Sequence, residues 1–128
     1  MSYYISKTIE TTFDDAIQKV TDTLKEVGFG LISTIDIQEK LKEKLDVDFK
    51  RYVILGACNP AFAYKALQIE DKIGVMLPCN VILQDVGDGK VEVAAVDPME
   101  SMQAIQNEEL GAMAGEVKEK LTKAINNL

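Results

Sequence analysis

A chain of 128 residues, 47% hydrophobic and 27% charged, has the size of one domain spanning residues 1–128, and a domain of that size buries about two-thirds of its unfolded surface. It has no His, no Trp and a single Arg, Arg51. Without imidazole there is no Ser-His-Asp triad, no Cys-His dyad, no HExxH zinc site and no histidine acid-base step. The net charge is −7, and the window Val91–Gly115 holds Glu92, Asp97, Glu100, Glu108 and Glu109 with no Lys or Arg. Such a surface repels phosphate backbones and anionic lipid, so neither a nucleic-acid nor a membrane partner is expected.

Tyr3–Ile9, rich in β-branched and aromatic residues, reads as a first strand. Thr12 with Asp15 three residues on opens a helix, in which Phe13, Ala16, Ile17, Val20, Leu24 and Val27 recur at helical spacing until Gly28. Phe29–Ile35 is a second strand, followed by a short charged helix capped by Asp36 with Glu39. Its thin stripe of Ile37, Leu41 and Leu45 suits a surface element. The unbroken apolar run Arg51–Cys58 is expected of a strand covered on both faces. Asn59-Pro60 then supplies an N-cap and a first helical residue for a helix through Phe62, Ala63, Ala66, Leu67 and Ile69. Ile73–Val86 reads as strand with a bend at Pro78-Cys79-Asn80, because proline cannot donate to a ladder. Gly87-Asp88-Gly89 is a hairpin turn pairing Val81–Asp85 antiparallel to Val91–Val96. Asp97-Pro98 repeats the cap-plus-proline device for a short helix with Met99 and Met102. The last helix, from about Asn107, puts Leu110, Met113, Ala114, Val117, Leu121, Ala124 and Ile125 on one face.

No stretch approaches the ~18–20 apolar residues of a membrane span, and Met1–Lys7 lacks the charged-then-apolar layout of a signal peptide. The expected home is cytoplasmic, where Cys58 and Cys79 stay thiols rather than forming a structural disulfide.

Two tripeptides resemble each other, Ala57-Cys58-Asn59 and Pro78-Cys79-Asn80. Each sets a soft nucleophile beside an amide that both donates and accepts. Cys58 also stands just before a helix N-terminus, whose unpaired N–H groups favour a thiolate. Packing offers a plainer account, since free Cys is among the most buried residue types and Asn before Pro is an ordinary cap. Met76, Met99 and Met102 suit an adaptable apolar pocket or plain core. Gly111-Ala112-Met113-Ala114-Gly115 permits close packing on the sheet or across a dimer seam. With two thiols and no imidazole, Cys58, Cys79 and Asp97 make a poor four-ligand zinc site, and no metal is expected.

The segments Tyr52–Pro60, Ala63, Ala66-Leu67, Gly74, Leu77–Val81 and Asp97-Pro98 resemble the signature of the bacterial and archaeal family catalogued as domain of unknown function 302. The likeness spans nearly the whole chain, with GACNP and LPCNV its most specific parts. It implies an α+β fold, an antiparallel sheet flanked by helices in a β-α-β-rich order like that of TATA-binding-protein-type domains, and a homodimer. It brings no activity and no known cofactor. Mapped onto this chain, the signature points to Cys58, Asn59, Pro60, Pro78, Cys79, Asn80 and Asp97 as ligand-binding candidates.

Three functional classes follow. The leading one is a dimeric binding or regulatory module with a small-molecule pocket rimmed by the two Cys-Asn segments and Asp97. The second is a thiol-dependent redox or transfer protein, with Cys58 as nucleophile and Cys79 as resolving partner, whose Cα atoms must then lie within ~7 Å. The third is a purely structural or partner-binding dimer.

Overall fold

A computed structural model describes residues 2–128. Five strands, β1 (Tyr4–Glu10), β2 (Gly30–Asp36), β3 (Tyr52–Cys58), β4 (Cys79–Gly87) and β5 (Lys90–Val96), form one antiparallel sheet in the order β1-β5-β4-β3-β2. Five helices accompany it: α1 (Phe13–Glu26), α2 (Ile37–Leu45), α3 (Pro60–Ile69), α4 (Pro98–Ser101) and α5 (Glu108–Asn126). The α+β reading therefore holds.

Helix ends sit where the cap chemistry puts them. Thr12, Asp36, Asn59, Asp97 and Asn107 each accept a backbone N–H with the side chain, satisfying a donor the helix itself cannot. Gly28, at φ +89°, ends α1: its N–H donates to the Lys25 carbonyl and that of Phe29 to Leu24, while buried Phe29 and Leu24 supply the apolar contact that accompanies such a stop. The hairpin between β4 and β5 turns on Asp88-Gly89, both at positive φ, as a right-twisted pair of strands requires.

Helices α1 and α5 lie on one face of the sheet. The alternating residues Val53, Leu55 and Ala57, with Val81, Leu83, Val91, Val93 and Ala95, meet Ala16, Val20, Leu24, Leu121, Ala124 and Ile125 in the main core. Lys7, on the same face of β1, reaches out to the end of α5, where its Nζ donates to the carbonyls of Leu128 (2.7 Å) and Asn126 (3.2 Å). A second, smaller core of Ala66, Ile73 and Leu110 joins α3 to the start of α5. Helix α2 buries none of its residues, in keeping with its charged sequence.

Two expectations need correction. Ile73 does not belong to a strand: Asp71–Met76 is a 3-10 turn, and β4 begins only at Cys79, after the cis Leu77–Pro78 peptide. The apolar residues there fill a turn against α3 and α5, a burial that alternation-free runs cannot distinguish from a strand. Nor does the protomer cover β3 on both faces. Val53, Leu55 and Ala57 are buried, while Tyr52 and Ile54 look onto an open face.

Candidate functional site

One end of the sheet gathers the chain's unusual residues. Strand β3 finishes at Cys58, and Asn59 turns the chain into α3, its Oδ1 accepting the Phe62 N–H at 3.4 Å. The Asn59 amide nitrogen lies against Gly28, 3.0 Å from where a Cβ would sit, so Gly28 is fixed both by its φ and by this approach. Beside β3, the ladder sets Cys79 directly opposite Ala57.

Between these strand ends and the helices lies a cavity of about 280 Å³. Ala57, Cys58 and Cys79 line it from the sheet, and Phe29 and Ile32 from the start of β2. Phe62, Ala63 and Ala66 come from α3, Met102 from the end of α4, and Met113, Ala114 and Val117 from α5. No charged side chain is among its lining residues, and Asn59 contributes the single amide. The cavity thus occupies the seam between the two apolar cores.

Of the residues singled out in the sequence, Cys58, Asn59, Pro78 and Cys79 meet in this cavity. Pro60 does not line it, serving as the first residue of α3. Asn80, one step along β4 from Cys79, points by strand alternation to the other side of the sheet and lines a groove there. Asp97 also stays outside, although its neighbour Pro98 is a lining residue. Its buried carboxylate accepts the Met99 N–H through Oδ1 (3.0 Å) and faces Lys118 Nζ through Oδ2 (2.9 Å), which ties α4 to α5. Met102 faces the cavity, whereas Met76 and Met99 are exposed.

Both cysteines are free thiols. Burial, and then the nearby Cys58 charge, push the Cys79 thiol up to about 11. At pH 7 roughly one Cys79 in ten thousand is thiolate, so this sulfur is a poor nucleophile on its own. Among the described residues no three His, Cys, Asp or Glu side chains come together as a metal-binding group. No helix among them is long and apolar enough to cross a membrane.

Leu110, Met113, Ala114 and Val117, one apolar face of the last helix by sequence, do sit on the inner stripe of α5: Leu110 and Val117 are buried in the two cores, and all four also line the cavity. Helical periodicity reports that a face is covered and not by what. Gly111 and Gly115 are not closely packed, since a Cβ on each would meet nothing within 4 Å.

A family model described as "Domain of unknown function DUF302" matches residues 5–128. The chain is also similar to a solved structure, the crystal structure of an uncharacterized conserved DUF302 protein from Bacillus stearothermophilus. The two are 24% identical, the match covers 98% of each chain, and the TM-score is 0.90. That identity speaks to the fold alone. No curated protein matches the chain.

Proposed function

The chain belongs to the DUF302 family, and from its geometry we propose that it is a small-ligand binding or regulatory module taking an uncharged, largely apolar molecule into the seam cavity. The observation that carries this reading is an apolar cavity of about 280 Å³ with no charged lining group. An engineered apolar cavity of about 150 Å³ in another protein stays dry and takes benzene; one nearly twice that volume suits a two-ring or medium-chain molecule. A charged ligand would lose its hydration there without a partner. The test uses N-phenyl-1-naphthylamine, a neutral two-ring fluorophore. Wild type should bind it with enhanced emission, and Ala114→Leu, which fills the cavity from α5, should abolish that while keeping the thermal unfolding midpoint. Equal emission from both proteins would overturn the reading.

A homodimer closed by the open sheet face is the assembly that accompanies this function. Its support is the row Ser6, Ala94, Ile82, Ile54 and Ile35, which runs across all five strands with no charged residue. Tyr3, Tyr4 and Tyr52 line a groove on the same face. Strand spacing and rise give that face about 550 Å² per protomer, so two copies reach about the 1,000 Å² that a specific interface needs. Sedimentation should give twice the chain mass, and Ile54→Lys should return it to the monomer. A wild-type protein monomeric at 100 μM would remove the dimer. The burial of Cys79 weighs against the alternative of thiol exchange at neutral pH.

A further inference from the structure

The same cavity holds a second chemistry, independent of the apolar-ligand reading. Besides Cys58 and Cys79, the two methionines that line it, Met102 and Met113, bring the sulfur-bearing side chains around one space to four. No carboxylate or ammonium group accompanies them, and the chain has no imidazole to compete. The thiols come from adjacent strands. Ala57 pairs with Cys79, so Cys58 is one residue further along the ladder. Alternation along β3 sets Cys58 to the side opposite Ala57, but it is the last residue of the strand and lines the same cavity as Cys79; the offset puts the two Cα atoms about 6 Å apart by sheet geometry. The thioethers arrive from the other wall, on flexible unbranched side chains that adapt to a guest.

Soft sulfur ligands without nitrogen or oxygen donors select among metals. Zinc in a structural site requires four ligands, commonly thiolate with imidazole. A Cu(I) ion accepts two or three sulfurs and favours thiolate and thioether over carboxylate and water. We propose that Cys58 and Cys79 bind one Cu(I) ion as a two-thiolate site at the sheet side of the cavity, with Met102 or Met113 supplying a neutral third sulfur. Binding breaks two S–H bonds, forms two Cu–thiolate bonds and one Cu–thioether bond, and releases two protons to solvent, with no change in oxidation state. The ion fills a small part of the volume, so an apolar guest and the cation are compatible.

The experiment is anaerobic competition for Cu(I) between the reduced full-length protein and bicinchoninate, with N-phenyl-1-naphthylamine binding measured on the same samples. The expected result is one Cu(I) per chain. Cys58→Ser, at a half-exposed position that should fold, should weaken binding at least tenfold. The Met102→Leu, Met113→Leu double variant should weaken it severalfold, and bound Cu(I) should protect both thiols from alkylation. Wild type unfolded in urea should bind far more weakly than folded protein, because the folded cavity assembles the ligands. Binding that is equal in the folded and urea-unfolded chains, or unchanged in Cys58→Ser, overturns the site. Loss of fluorophore binding with Cu(I) binding intact would overturn the apolar-ligand reading alone.

Discussion

The buried Cys79 thiol makes folding stability depend on alkaline pH, with a sign that follows from its surroundings. A thiol is neutral when protonated, so burial favours the protonated form and raises the folded pKa from 9.0 to about 11. Below pH 9 the folded and unfolded chains both hold this proton, and Cys79 adds no pH dependence. Between pH 9 and pH 11 the unfolded chain has released a proton that the folded chain keeps, so stability falls as pH rises. At 1.36 kcal/mol per pH unit, the difference amounts to about 2.7 kcal/mol, of which about 2.3 is lost by pH 11, a large fraction of the roughly 5–15 kcal/mol typical of a domain. Lysines and tyrosines titrate in the same range, so the assay compares two proteins that share them. Urea unfolding of Cys58→Ser and of Cys58→Ser, Cys79→Ala, under reductant at pH 7.5, 9, 10 and 11, isolates Cys79. Removing Cys58 leaves burial, the larger cause, in place. The difference between the two stabilities should shrink by about 1–2 kcal/mol across the series, whatever its value at neutral pH. Two parallel pH profiles would refute the claim that this sulfur is desolvated.

Three further outcomes follow from single residues. Gly111→Ala and Gly115→Ala, in open space on α5, should each stabilise the fold by up to about 1 kcal/mol in urea unfolding; a loss would mean that this face packs against something. Gly56→Ala would place a Cβ against the Ser33 side chain and 2.8 Å from Pro78 Cγ, and should cost about 1–3 kcal/mol. Adding Ser33→Gly should recover only part of that in the same assay, because the proline ring remains. Asp97→Ala removes the α4 cap and the Lys118 partner, for about 2 kcal/mol after allowing for the solvent exposure of Lys118. The loss should be seen in thermal unfolding at pH 7, and an unchanged midpoint would exclude Asp97 as the tie between α4 and α5.

Local chemistry made most of the elements legible. The caps at Thr12, Asp36, Asn59, Asp97 and Asn107, the stop at Gly28 and the Asp88-Gly89 turn each depend on a side chain or φ angle that few residues can supply. The failures arose where burial came from tertiary context. Ile73 is fully buried in a 3-10 turn because α3 and α5 cover it, and no period in the sequence encodes that cover. Tyr52 and Ile54 on the other face of β3 are apolar without being buried, and an unbroken apolar run does not say which of its faces is covered. In the candidate site, the two Cys-Asn pairs were visible as motifs, yet only Cys58 and Asn59 line the cavity together, because alternation along β4 turns Cys79 to the cavity and Asn80 to the opposite groove.

The cavity follows from how the two cores are joined. The buried stripe of α5 is divided between the cores: Leu110 belongs to the smaller with Ala66 and Ile73, and Val117, Leu121, Ala124 and Ile125 to the larger. Between them lie Met113 and Ala114, which with Val117 line the cavity across from Cys58 and Cys79 at the ends of β3 and β4. Small side chains at Ala57, Ala63, Ala66 and Ala114 keep the seam open, where larger ones would collapse it and gain the contacts that a void forfeits. Packed side chains would bury the apolar surface that the open cavity leaves uncovered. Asp97 and Lys118 hold α4 to α5 beside it at 2.9 Å, a polar tie that resists such collapse. Uncovered apolar surface with a braced wall is the feature on which the proposed apolar guest rests, and a larger side chain at Ala114 is the change that tests it.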